Sequence, residues 1–230
     1  MTTNDVLRFL QHHGTRSNIE KMVHFGIETP KAFGVNAPTL RKLAKQIGTD
    51  HRLALSLWTS GYHEARILAS FIADPEKVTE RLMERWVNDF DSWAICDACC
   101  GELFDHTPYA IGKAFEWSKR EKEYVKRAGF VMMAELAVHR KELGDGVFKK
   151  FFSVIERESG DRRNFVKKAV NWALRQIGKR NHVLHSAALN VAVKLSIKDD
   201  PTTRWIGTDA IKDLQSEPVR RKFARMKAKG

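Results

Sequence analysis

The segment from Phe165 to Lys179 carries the chain's most suggestive chemistry. At about 100° per residue, Val166, Val170, Ala173, Leu174 and Ile177 fall on one helical stripe, which reads as a core face. Phe165, Lys168, Trp172, Arg175 and Lys179 fall on the opposite stripe. A solvated stripe should be plainly polar, yet this one interleaves two aromatic rings with cations. Rings pack on bases or sugars and cations neutralise phosphates, so the pattern fits nucleic acid. The competing reading packs Trp172 on a neighbouring helix and leaves the cations as a rim. A second segment is Asp91-Ser92-Trp93-Ala94-Ile95-Cys96-Asp97-Ala98-Cys99-Cys100. Trp93 and Asp97 stand four residues apart and share a helical face. An unpaired carboxylate among small and apolar residues is expensive, so Asp97 needs a cation partner or a function. Cys96-x-x-Cys99 has no second Cys or His pair at zinc spacing and no βαβ setting, so the cysteines read as small core residues. In a third segment, Arg127 lies just inside a helix, and Glu135 sits within Met132-Met133-Ala134-Glu135-Leu136-Ala137. Glu135 is a rival to Asp97, or else a partner for a neighbouring helix. No Gly-rich phosphate loop, HExxH, GxSxG or zinc-deaminase signature occurs, and the histidines read as surface or capping residues.

The elements that must position these groups are helices throughout. Helical signals cover 3–13, 16–26, 38–47, 51–60, 62–73, 76–88, 91–104, 108–119, 122–139, 145–158, 162–179, 182–197, 201–214 and 217–227. Asn36 caps a helix with Pro38 in its first turn, and Asp74-Pro75, Thr107-Pro108 and Asp200-Pro201 open others. Gly48, Gly61, Gly144, Gly160 and Gly178 stand at helix ends. Short connections make neighbours antiparallel. Val125-Lys126-Arg127-Ala128 recurs 41 residues later as Val166-Lys167-Lys168-Ala169, close to the period of two-helix HEAT units, about 40 residues. The expected fold is all-α, a single HEAT-like helical-repeat domain over 1–230, curved, with a basic concave face and a basic C-terminal end from about 217.

Forty Lys and Arg against 28 Asp and Glu leave a formal charge of +12 over 230 residues. Such an excess repels itself in the compact state, so a polyanion is the expected partner. A membrane surface is disfavoured, because no N-terminal helix pairs a basic face with a Trp/Phe/Leu face. No apolar run reaches the roughly 18 residues of a membrane span, and the polar start Met-Thr-Thr-Asn-Asp lacks signal-peptide character. Three clustered cysteines suit a reducing cytoplasm better than a disulfide framework.

Taken together, these residues resemble the AlkD-type DNA alkylation-repair proteins, a HEAT-like group of bacterial DNA glycosylases. Phe33-Gly34-Val35-Asn36-Ala37-Pro38-Thr39-Leu40-Arg41 looks like the family's N-terminal segment. Trp93-x-x-x-Asp97 looks like its catalytic helix, and Lys126-Arg127-Ala128 like its basic helix start. Phe165-Val166-Lys167-Lys168-Ala169-Val170-Asn171-Trp172-Ala173-Leu174-Arg175 is similar to its most distinctive helix. The resemblance covers roughly residues 20 to 215. It implies a catalytic carboxylate at Asp97, active-site tryptophans at Trp93 and Trp172, and an arginine beside the lesion at Arg127. Phe165, Lys168, Arg175, Lys179 and Lys126 would then line the DNA-facing groove. One departure stands out: where the best-known type carries a tyrosine in its second helix, the nearest aromatic here is Phe25. The implied activity is excision of N3- or N7-alkylated purines from duplex DNA by a monomer in the bacterial cytoplasm, at the nucleoid, with no metal and no organic cofactor. The alternative is a noncatalytic HEAT-like protein that binds distorted or branched DNA. A further expectation is that Asp97, Trp93 and Trp172 converge.

Overall fold

The structure is a computed structural model that describes residues 1–227. Among the described residues the chain forms fourteen α-helices, two short 3-10 turns and no strand, as the sequence leads one to expect. Among the described residues no helix is long and apolar enough to cross a membrane. The chain divides into two compact units, 1–109 and 110 onward.

The first unit contains α1 (Thr3–His13), α2 (Arg16–His24), α3 (Ala37–Ile47), α4 (His51–Thr59), α5 (His63–Ile72), α6 (Glu80–Asn88) and α7 (Trp93–Glu102). Side-chain caps set where many of these begin. Thr2 and Asp5 form a reciprocal capping box on α1. Asn36 accepts from the Thr39 amide with Pro38 in the first turn of α3. Helices α3, α5 and α7 pack side by side as one row. Behind it, α4 and α6 meet through the stacked indoles of Trp58 and Trp86, 4.0 Å apart and 2° from parallel.

Local hydrogen bonding moves some boundaries. The stretch expected as one helix over 76–88 is split. Asp74 draws Pro75–Lys77 into a 3-10 turn, Val78 is extended, and Thr79 caps a new start at Glu80. The stretch 91–104 likewise ends at Glu102 and continues as a 3-10 turn over Phe104–His106. Thr107 does not open the next helix. Its hydroxyl donates back to the Phe104 carbonyl, and helix begins only at Ala110. His63 also departs from expectation: it is buried at the start of α5 rather than a surface or capping residue.

The second unit contains α8 (Ala110–Trp117), α9 (Glu123–His139), α10 (Asp145–Glu158), α11 (Asn164–Gly178), α12 (His182–Ser196), α13 (Pro201–Leu214) and α14 (Glu217–Lys227). Of the basic C-terminal end, residues 228–230 lie outside the described residues. Here α9, α11 and α13 form one row, with α8 and α12 behind it and α10 joining them. The repeated four-residue motif falls at equivalent places: Val125 and Ala128 of α9, and Val166 and Ala169 of α11, are all core. Antiparallel α8 and α9 approach so closely that a Cβ at Gly129 would lie 2.3 Å from the Ser118 nitrogen. Only a residue without a side chain fits there.

Candidate nucleic-acid interface

In the first unit, α7 owes its direction to α5. Arg66 donates to the Asp89 carbonyl at 3.1 Å, lies 3.5 Å from the Asp91 carboxylate, and sits over the Trp58 ring at 5.4 Å. Trp58 in turn donates its indole N–H to Asp89 Oδ2 at 2.8 Å. With this loop tied down, Ser92 caps α7 by accepting from the Ile95 amide. One face of α7 buries Ile95, Cys96, Cys99 and Cys100. Burial pushes the Cys99 and Cys100 thiols well up, so they stay neutral and behave as small core groups.

The other face of α7 holds Trp93, Ala94, Asp97 and Ala98, all half-buried. Asp97 is therefore not sealed in the core. Trp93 donates its indole N–H to the Phe25 carbonyl at 3.0 Å. Phe25 closes α2 ahead of Gly26, whose φ of 74° lets the chain turn, and its ring is 62% exposed. Phe25, the aromatic nearest to the expected second-helix tyrosine, is thus joined to Trp93 through its backbone carbonyl.

The N-terminal family-like segment has a structural reason that the sequence did not reveal. Glu64, 1% exposed at the start of α5, accepts from three successive amides. Its Oε2 takes the Phe33 N–H at 3.0 Å, and Oε1 takes Gly34 at 2.6 Å and Val35 at 3.2 Å. Gly34 has φ 78°, and a Cβ there would meet the Thr15 carbonyl oxygen at 2.2 Å. The trace of this arrangement in the sequence is a lone acidic residue in the first turn of a largely apolar helix.

In the second unit, α11 presents the two stripes expected of it. Val166, Val170, Ala173, Leu174 and Ile177 are fully buried. Lys168 is exposed, and Phe165, Trp172, Arg175 and Lys179 are half-buried. Arg127 reaches across from α9, 6% exposed, and donates to the Phe165 carbonyl at 2.6 Å. The Tyr124 and Phe165 rings lie 5.9 Å apart. This unit therefore brings Arg127 and Phe165 together, with Lys168 and Trp172 farther along the same stripe.

Lys179, Arg175 and Lys126 have carboxylate partners. Lys179 lies 2.6 Å from Asp213 of α13, and Arg175 lies 3.5 Å from Asp213 and 4.0 Å from Asp209. Lys126 is 8% exposed and sits 2.8 Å from Glu158 and 3.3 Å from Asp161. Desolvation is the largest single influence on its ammonium and acts to lower its pKa, but the two carboxylates together outweigh it and raise it. Lys126 thus ties α9 to the end of α10 and the turn before α11. Glu135, the other carboxylate singled out in the sequence, is half-buried and lies 3.7 Å from His139 on its own helix.

A family model described as DNA alkylation repair enzyme matches residues 6–214. One solved structure is described as "A new family of proteins related to the HEAT-like repeat DNA glycosylases with affinity for branched DNA structures". It superposes with a TM-score of 0.82 at 20% identity, covering 97% of this chain and 96% of that one, and shows a HEAT-like helical-repeat fold. A designed armadillo repeat protein, YIII(Dq)4CqI, superposes at 0.38 with 15% identity over 92% of each chain, too loosely to carry an argument. No curated protein sequence matches.

Proposed function

The chain belongs to the DNA alkylation repair enzyme family, and from that premise we propose that it is a DNA glycosylase that excises cationic N3- or N7-alkylated purines from duplex DNA. The observation that carries this reading is the half-buried face of α7, where Asp97 shares a helical face with Trp93 outside the fully buried core. Alkylation at N3 or N7 gives the base a positive charge, so it leaves without a strong general acid. As the bond from the sugar C1′ to the base breaks, its electron pair goes to the base and cancels that charge. Positive charge develops on the deoxyribose instead. Asp97 stabilises it and orients the water that adds to C1′, whose proton is then lost to solvent. The Trp93 N–H is already satisfied by Phe25, which fixes the indole and leaves its π face for cation–π attraction to the sugar. The family resemblance assigns a second indole to Trp172 and a backbone-phosphate contact to Arg127.

Contacts along the strand fall to Phe165 and to the exposed Lys168. Arg175 and Lys179 join them only where phosphate competes with Asp209 and Asp213, and Lys126 acts through the placement of α9 and α11. The second reading, noncatalytic binding of distorted or branched DNA, draws on Phe25 in place of a tyrosine and on the branched-DNA affinity of the solved relative. Incubation with methylated duplex DNA separates the two. Release of free N7-methylguanine, with affinity that falls steeply with salt, supports the glycosylase. Tight binding to junctions without base release supports the alternative.

A further inference from the structure

The first unit has a second basic site on its α4–α6 side, away from the row of α3, α5 and α7. A cavity of about 300 Å³ there is lined by His51, Lys77, Arg81 and Arg85, with Thr79 and no carboxylate. That is the lower end of the size range of small-ligand sites. Arg81 and Arg85 are one turn apart and share a face of α6. Both are exposed, and among the described residues neither side chain makes a hydrogen bond or ion pair. Several exposed arginines are paired, among them Arg8 with Asp5, Arg16 with Glu20 and Arg221 with Glu217. Two guanidinium groups four residues apart raise the local potential of the cavity, whose lining offers them no carboxylate. His51 adds a third group, since its Nδ1 is buried without a hydrogen-bond partner. Lys77 is held 3.0 Å from Asp74, at the rim.

We propose that this cavity is a phosphate-binding site, with Arg81 and Arg85 gripping the oxyanion and His51 and Lys77 closing its sides. Guanidinium groups suit this chemistry because their planar donors match phosphate oxygens in pairs. The phosphate is either a phosphodiester of a DNA segment outside the excision site or a small phosphate monoester. The site stands independently of the excision reading, because none of its residues belongs to the α7 or α11 faces.

The test uses the full chain and inorganic phosphate as the probe, followed by NMR of the arginine and histidine side chains. Saturable shifts at Arg81, Arg85 and His51 in the millimolar range are expected, absent in the Arg81→Gln/Arg85→Gln double variant. His51 gives an extra readout. Desolvation and then Lys77 lower its pKa, against the pull of Asp74, and a bound dianion should raise it. In a DNA arm, the double variant should flatten the salt dependence of affinity by about 1.8 in log–log slope if DNA backbone is the source. An unchanged slope with phosphate binding intact assigns the site to small phosphate esters. The proposal is overturned if phosphate shifts these resonances no more than chloride at equal ionic strength. At saturating methylated DNA, base release should be the same in the double variant and the parent, so loss of the excision reading would leave this result standing.

Discussion

Replacing Glu64 should undo the N-terminal third of the first unit. Its carboxylate is 1% exposed and accepts from the amides of Phe33, Gly34 and Val35. The Gly34 and Val35 bonds are buried and the Phe33 bond is partly so. Removing an acceptor from a buried donor costs about 1–3 kcal/mol per group. Three donors sharing one carboxylate relax together, so Glu64→Ala should cost about 3–6 kcal/mol rather than the full sum. That is a large part of a domain's usual stability of about 5–15 kcal/mol. Glu64→Gln keeps one oxygen for two of the amides but turns an amide NH₂ toward the third, so it should cost about 1.5–3 kcal/mol. Urea unfolding followed by circular dichroism gives the global figure. Hydrogen exchange at Phe33, Gly34 and Val35 separates local fraying from global loss. If Glu64→Ala unfolds within about 1 kcal/mol of the parent and these amides stay protected, the carboxylate is not what holds the segment.

Two further outcomes follow from the same geometry. Trp93→Phe removes the indole bond to the Phe25 carbonyl, and exchange of the Gly26 and Ile27 amides should rise roughly two- to tenfold, as a bond of about 0.5–1.5 kcal/mol requires; unchanged exchange would mean the tether does not hold that turn. The Lys126 cluster should make the second unit acid-sensitive. Burial, the largest influence, pushes the Glu158 and Asp161 carboxyls up, but hydrogen bonds from Lys126, Arg157 and Arg163 outweigh it and hold both below their ordinary values. Their stabilisation is therefore fully present above the ordinary carboxylate range, about pH 4, and is lost as pH falls through the lowered values. Lys126→Met should cost about 2 kcal/mol at neutral pH, less than a dry ion pair because water reaches the cluster, and its cost should shrink in acid; a pH-independent cost would refute the linkage.

Local chemistry made most of the helix starts legible. Asn36 with Pro38 and Asp200 with Pro201 cap helices as their types require. The 3.6-residue period of α11 separated its core stripe from its outward one residue by residue. What stayed hidden depends on partners far along the chain. Lys126 meets carboxylates more than thirty residues away, Arg175 and Lys179 meet acids on the next helix but one, and Glu64 holds amides thirty residues upstream. No periodicity within one helix reports such pairs. The break at Val78 was missed because Asp74 and Thr79 each offer a cap, and only their hydrogen bonds decide that both are used. Phe25 was singled out only through a departure from the family pattern; its carbonyl bond to Trp93 needs the fold.

The central claim is that the Asp97 carboxylate does the chemistry, and single-turnover release of N7-methylguanine by Asp97→Asn tests it most directly. The amide keeps the shape and loses only the charge, and the half-buried setting of Asp97 lets the variant fold. The predicted result is a rate reduced at least a hundredfold, equivalent to about 3 kcal/mol of lost transition-state stabilisation, with duplex affinity and melting temperature unchanged. A variant that releases the base at the parent rate, or that loses activity only in proportion to a lost folded fraction, would contradict it.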